Sequence, residues 1–130
     1  MTRLLSSGSP FEETVGYSRA VAAGDTVYVS GCTSVVDGRV VHEGDMGAQA
    51  TQAISVIAAA LAELGCGLSD VVRTRIYVTD IARWPEVAAV HKAAFGDVRP
   101  ASTMVEVTAL IDPGMLVEIE AVAYQPGVGA

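Results

Sequence analysis

Between an aspartate at position 45 and a glycine at position 65, apolar residues recur at helical spacing. Met46, Ala50, Ala53, Ile54, Ile57, Leu61 and Leu64 fall on one face, while Gln52, Ser55, Ala59 and Glu63 fill another. Asp45 can cap the first turn's amide protons, and Gly65 can take the left-handed conformation that ends a helix. The spacing predicts an amphipathic helix over 46–64, and the rest of the chain must supply the surface that its apolar face covers.

That surface is a sheet. Residues 17–22 and 26–30 are β-prone runs separated by the turn dipeptide Gly24-Asp25, and Asp37-Gly38 between two valine pairs is the strongest hairpin signal of the chain. Over 71–79 the residues alternate, Val72, Thr74, Ile76 and Val78 on one side and Arg73, Arg75, Tyr77 and Thr79 on the other. A second helix is expected from Pro85 to about Phe95, ended by Gly96. Two last strands, over 102–109 and 115–124, flank Asp112-Pro113-Gly114, which suggests an antiparallel pair. The first sixteen residues predict a brief strand and an irregular loop. This order gives an α+β domain with two helices packed on one face of the sheet, and the other face is left to an assembly interface or a cleft.

Residues 1–130 make a single domain, with no internal repeat and no low-complexity tract. Eight Lys plus Arg stand against fifteen Asp plus Glu, a net charge of -7, and the basic residues are scattered singly. Such a chain repels a phosphate backbone, and with aromatics at only 5% it offers no row of rings for bases, so nucleic-acid binding is disfavoured. No stretch approaches the roughly 20 apolar residues of a membrane span, and the N-terminus lacks the apolar core of a signal peptide. The expectation is a cytoplasmic, soluble protein whose two cysteines, Cys32 and Cys66, are free thiols. With 51% hydrophobic residues on so short a chain, apolar surface is left over for subunit association.

Five runs, in order, resemble the Rid (YjgF-like) family of reactive intermediate deaminases, which act on enamines and imines. They are Val27-Tyr28-Val29-Ser30-Gly31, Gln49-Ala50-Thr51-Gln52-Ala53, the segment from Val71 to Asp80, the segment from Arg99 to Val107, and Leu116-Val117-Glu118-Ile119-Glu120-Ala121. The resemblance implies a chorismate-mutase-like fold, a homotrimer whose sheets form a central barrel, and a cleft for a small-molecule substrate at each subunit boundary. It also implies that Glu118 positions the water that attacks an imine carbon. Tyr17 would line the cleft, Ser30 and Gly31 would face the ligand with their backbone, and Cys32, Arg99 and Ser102 would complete its wall. A carboxylate side chain suits such work, because it can orient or deprotonate a water.

At one position the chain departs from the resemblance. Deaminating members carry an Arg after Pro-Ala that holds the substrate carboxylate, and here Ser102 follows Pro100-Ala101. A neutral hydroxyl contributes about 1 kcal/mol where a charged contact gives about twice that. An Asn of some members aligns with Ala88, and a frequent Gln with Cys32. Three readings stay open: the charge comes from Arg99 or Arg19, the ligand lacks a carboxylate, or the protein binds a ligand without deaminating it.

Other reactive residues carry bland alternatives. Glu118 and Glu120 share a strand side, which raises a carboxyl pKa unless one pairs with Arg73 or Arg75. Cys32 has no histidine near it in the sequence and reads as a small buried thiol; Cys66 reads as a turn residue. His91 lies on the stripe Trp84, Val87, Ala88, His91, Phe95 and reads as a packed histidine; His42 reads as exposed. Lys92, the sole lysine, reads as solvated. Two isolated histidines without ligand spacing predict no metal, and the glycine patterns of nucleotide sites are missing, so no cofactor is expected.

Overall fold

The computed structural model describes residues 2–130. Strand β1 (Thr2–Leu5) is followed by a short helix α1 (Pro10–Val15), then β2 (Ala20–Ala23), β3 (Thr26–Cys32), β4 (Val35–Val36) and β5 (Arg39–Val40). The long helix α2 (Met46–Glu63), β6 (Val71–Val78), α3 (Trp84–Phe95), β7 (Ala101–Glu106) and β8 (Val117–Tyr124) complete the chain. Six strands form one mixed sheet in the order β1-β2-β3-β8-β6-β7, and β4 and β5 form a separate hairpin. Among the described residues only β6 and β7 pair in parallel, joined by the crossover through α3.

The long helix begins and ends where its period places it. The Asp45 side chain accepts from the Ala48 amide at 3.0 Å, and Gly65 has φ 81°. Its apolar face, with Ile57 and Leu61 fully buried, packs with α3 over Val27, Ile76, Val117 and Ile119 of the sheet. Each such side chain contributes roughly 1.5–3 kcal/mol by leaving water. Gln49 is buried on the same helix: its amide donates to the carbonyls of His42 and Gly114 and accepts from the Leu116 amide, which fastens the start of β8 to α2.

Four local expectations need correction. The irregular loop before Tyr17 contains α1, capped by the Ser9 side chain and ended by Gly16 at φ 87°; Pro10 at its first position, where a missing amide proton costs nothing, is the local signal for it. Positions 71 and 72 exchange sides because the β6–β8 register shifts between Val71 and Arg73, so Val71 is buried and Val72 exposed. Phe95 does end α3, but Gly96 keeps helical angles, and Arg99 at φ 56° is the left-handed residue that turns the chain into β7. Most consequential, the last two strands are not a hairpin. The connection through Asp112-Pro113-Gly114 crosses β6, and β8 enters the centre of the sheet between β3 and β6.

The face opposite the helices is uncovered in the single chain. It carries Tyr28 (53% exposed) and Tyr124 (52%) beside Arg73, Arg75, Tyr77, Glu118 and Glu120. Among the described residues no helix is long and apolar enough to cross a membrane.

Candidate active site

The insertion of β8 beside β3 creates the site. Pairing between them is regular from Thr26 to Val29 and resumes at Cys32 opposite Ile119, which leaves Ser30 and Gly31 in a bulge. Glu118 crosses this bulge. A Cβ at position 31 would lie 2.7 Å from the Glu118 carboxyl carbon and 2.9 Å from its Oε2, so only glycine admits the carboxylate here. Burial and the neighbouring Glu120 charge raise the pKa of Glu118, and Arg19 opposes them. A carboxylate so perturbed is a stronger base than one in water.

Arg19 braces the bulge from its other side. Its Nη1 donates to the carbonyls of Gly31 (2.8 Å) and Ser30 (3.2 Å) and to Cys32 Sγ (3.3 Å), and its Nη2 reaches the Tyr17 hydroxyl at 3.4 Å. The ring of Tyr17 lies 5.7 Å from the guanidinium carbon, within cation–π range. Cys32 is a neutral thiol: it donates to the Ser30 carbonyl at 3.2 Å, and burial pushes it up to about 11. Tyr17, Ser30, Gly31, Cys32 and Glu118 therefore gather around Arg19. Arg19 was legible only as one candidate for a charge; the sign of its larger role is a lone cation just ahead of the small, apolar run Ala20-Val21-Ala22-Ala23.

Arg99 and Ser102 lie elsewhere. Ser102 is on β7, three strand spacings from β3, roughly 14 Å. It also faces the helix side: the Thr74 hydroxyl donates to Ser102 Oγ at 2.8 Å and lies 2.9 Å from Nε2 of His91 on α3. The Thr74 hydroxyl is thus shared between Ser102 Oγ and the half-buried imidazole of His91. His91 also packs against Phe95, ring centres 4.7 Å apart, and burial lowers its pKa. The exposed Arg99 lies just ahead of β7. Within one chain, neither residue can share a ligand with Glu118.

Glu120 makes no ion pair with Arg73 or Arg75, since the one ion pair among the described residues joins Arg83 and Glu86 at 2.7 Å. Glu120 instead accepts from the Tyr77 hydroxyl, and that bond raises the tyrosine's pKa. Two open depressions lie off the Glu118 bulge, one of about 460 Å³ beside Arg73, Arg75 and Glu120, the other of about 640 Å³ between the β4–β5 hairpin and Asp112-Pro113-Gly114. No three His, Cys, Asp or Glu side chains among the described residues converge as metal ligands.

A sequence profile described as Endoribonuclease L-PSP matches residues 8–125. The chain is 56% identical to a Mycobacterium tuberculosis protein, Rv2704, whose crystal structure superposes with a TM-score of 0.87 over 95% of this chain and 99% of that one, and which is described as a member of the YjgF/YER057c/UK114 family. It is 40% identical to the uncharacterized protein SCO2049 of Streptomyces coelicolor, over 97% of this chain and 94% of that one. It is 34% identical to the 3-aminoacrylate deaminase RutC of Acinetobacter baylyi, over 93% of this chain and 95% of the relative. The chain belongs to the Rid (YjgF-like) family, and its mixed sheet with two main helices is that family's fold.

Proposed function

We propose that the protein is an imine/enamine deaminase that works at a cleft between two copies of the chain. Water adds to the imine carbon as Glu118 takes one of its protons; the nitrogen gains a proton, and the resulting carbinolamine collapses to a carbonyl compound and ammonia. An enamine enters the same course after its carbon is protonated. The carrying observation is the seat of Glu118: a desolvated carboxylate fixed over a glycine, with a buried cation behind it. The deaminase name of the Acinetobacter relative agrees with this chemistry. A ribonuclease reading is not favoured, because a net charge of -7 opposes an RNA backbone.

The separation of Ser102 and Arg99 from Glu118 supports a site completed by a second copy. A neighbour's β7 edge laid beside the β3–β8 bulge would unite them, and a homotrimer joined through the uncovered sheet faces would bury Tyr28 and Tyr124. We place this assembly in the cytoplasm, with a small molecule as its substrate and no cofactor.

The test generates imines with an amino-acid oxidase and follows release of keto acid. Acceleration over buffer is expected, and Glu118→Gln should reduce it by about 10²- to 10⁴-fold, the usual worth of a general base. No acceleration with any small or aromatic amino acid sinks the proposal. It would favour a second reading, a non-deaminating relative that binds or tailors a small molecule without the usual carboxylate. Ser102 supports that reading, since at this position it offers only a hydroxyl already bonded to Thr74.

A further inference from the structure

A guanidinium has five N–H donors, and those of Arg19 are unequally used. Nη1 is taken up by the Ser30 and Gly31 carbonyls and Cys32 Sγ. On the opposite edge Nε is buried without any partner, and Nη2 has only the long 3.4 Å contact to the Tyr17 hydroxyl. Arg19 is 8% exposed, and among the described residues no carboxylate lies within ion-pair distance of it, although its charge reaches Glu12 and Glu118 and acts to lower the pKa of both. The Nε–Nη2 edge is the fork that matches the two oxygens of a carboxylate. A buried donor left without an acceptor is unfavourable, and a buried cation without a counter-ion more so. Among the buried side-chain polar atoms of the described residues, Arg19 Nε is the one without a partner.

We propose that Arg19, and not a group on the β7 edge, is the anion anchor of the site. A ligand carboxylate displaces the Tyr17 hydroxyl from Nη2 and takes Nε as its second donor. Arg19 braces Gly31 from one side and Glu118 crosses Gly31 from the other, so a reactive carbon bonded to that carboxylate is held next to Glu118. The positive charge enters the site from behind the bulge, which leaves Ser102 a neutral contact. The inference uses the deaminase reading for the chemistry of that carbon, but the anion contact stands on the geometry of Arg19 alone.

Calorimetric titration of the unmodified protein with 2-oxobutanoate and with 2-butanone tests it without turnover, since the two probes differ by a carboxylate in place of a methyl group. The keto acid should bind at least tenfold more tightly than the ketone. Arg19→Lys, which keeps the charge but lacks the fork, should lose most of that preference at an unchanged circular dichroism spectrum, and Ser102→Ala should keep it. Equal binding of the two probes, binding of neither, or an undiminished preference in Arg19→Lys overturns the proposal. So does a smaller assembly in Arg19→Lys by light scattering, which would assign the free edge to a neighbouring copy. Failure of the deaminase reading gives a different pattern: a protein that binds the keto acid through Arg19 but hydrolyses no imine retains the anchor and loses the chemistry.

Discussion

Two regions of the sheet are built on opposite principles. At the β3–β8 bulge, charge is concentrated: a cation and a carboxylate close on one glycine from two sides, and neither is in an ion pair. At the β6–β7 edge, Ser102, Thr74 and His91 form a neutral chain of hydrogen bonds, with the imidazole held below its usual pKa by burial. The first arrangement is unfavourable for the fold; the second is well satisfied and contributes mainly to packing. On the proposed function, substitutions in the two regions should separate reactivity from stability.

The largest effect is expected at the tightest contact. In Gly31→Ala the new methyl group takes the volume of the Glu118 carboxyl, and a side chain that can swing away will do so. Activity in the oxidase-coupled assay should fall by about 10²-fold, the typical loss for a displacement of about 1 Å, while the melting curve moves by no more than about 1–3 kcal/mol. Retained activity in Gly31→Ala would show that the carboxylate does not work from this seat. The opposite balance is expected at the other end. Thr74→Val removes the buried hydroxyl that bonds both Ser102 and the half-buried His91, so stability should drop by about 1–3 kcal/mol in urea unfolding, with turnover of the remaining folded protein little altered. A large fall in turnover without loss of stability would mean that the neutral edge takes part in the reaction.

The same contrast explains what the sequence disclosed. Local signals were reliable where one residue type solves one local problem: Asp45 and Gly65 bound α2, and Asp37 and Gly38, both at positive φ, turn the β4–β5 hairpin. They failed where the outcome depends on which strand lies next to which. Asp112-Pro113-Gly114 has the chemistry of a turn whether it closes a hairpin or carries the chain across β6, and only the parallel pairing of β7 with β6 excludes the hairpin. The site followed the same division. Glu118 and Gly31 were readable from the family's motifs, but the reason for the glycine, its contact with a side chain 87 residues away, is a product of that crossing. Ser102 could be read as a missing charge, but not as a residue on the opposite side of the sheet from Glu118, because the β7 register had to be known first.

The charged end should also show itself as a stability deficit that depends on pH. Burial and Glu120 hold Glu118 above its ordinary value of 4.5, so on raising the pH the unfolded chain loses this proton before the folded one does. Over that window the folded state binds more protons, and stability falls as pH rises. Glu118→Gln should therefore melt higher than the parent at neutral pH, and the difference should shrink as the pH is lowered toward 4.5. His91 acts in the other direction: its folded-state pKa lies below the ordinary 6.5, so its contribution is complete above that pH and is lost on acidification. Comparing parent and variant at each pH cancels the histidine. A Glu118→Gln protein less stable than its parent at neutral pH would mean that the carboxylate is a structural partner and not a strained base.

The smallest effect concerns the thiol between the two charges. Thiolate, not thiol, is the nucleophile, and Cys32, pushed up to about 11 by burial against the pull of Arg19, is almost wholly protonated near neutrality. Its proton is engaged by the Ser30 carbonyl, so the sulfur serves as an acceptor for Arg19 and as filling beneath the bulge. Treatment of the native protein with iodoacetamide at pH 8 should leave Cys32 unlabelled in a peptide-mass assay over the time that labels it fully in urea. Cys32→Ser, which keeps both hydrogen bonds in a slightly smaller atom, should change deaminase activity by less than about threefold, because a hydroxyl can replace a neutral thiol that only donates and accepts. Rapid labelling of the folded protein with parallel loss of activity would turn the same contacts into those of an activated nucleophile, with Arg19 supporting a thiolate.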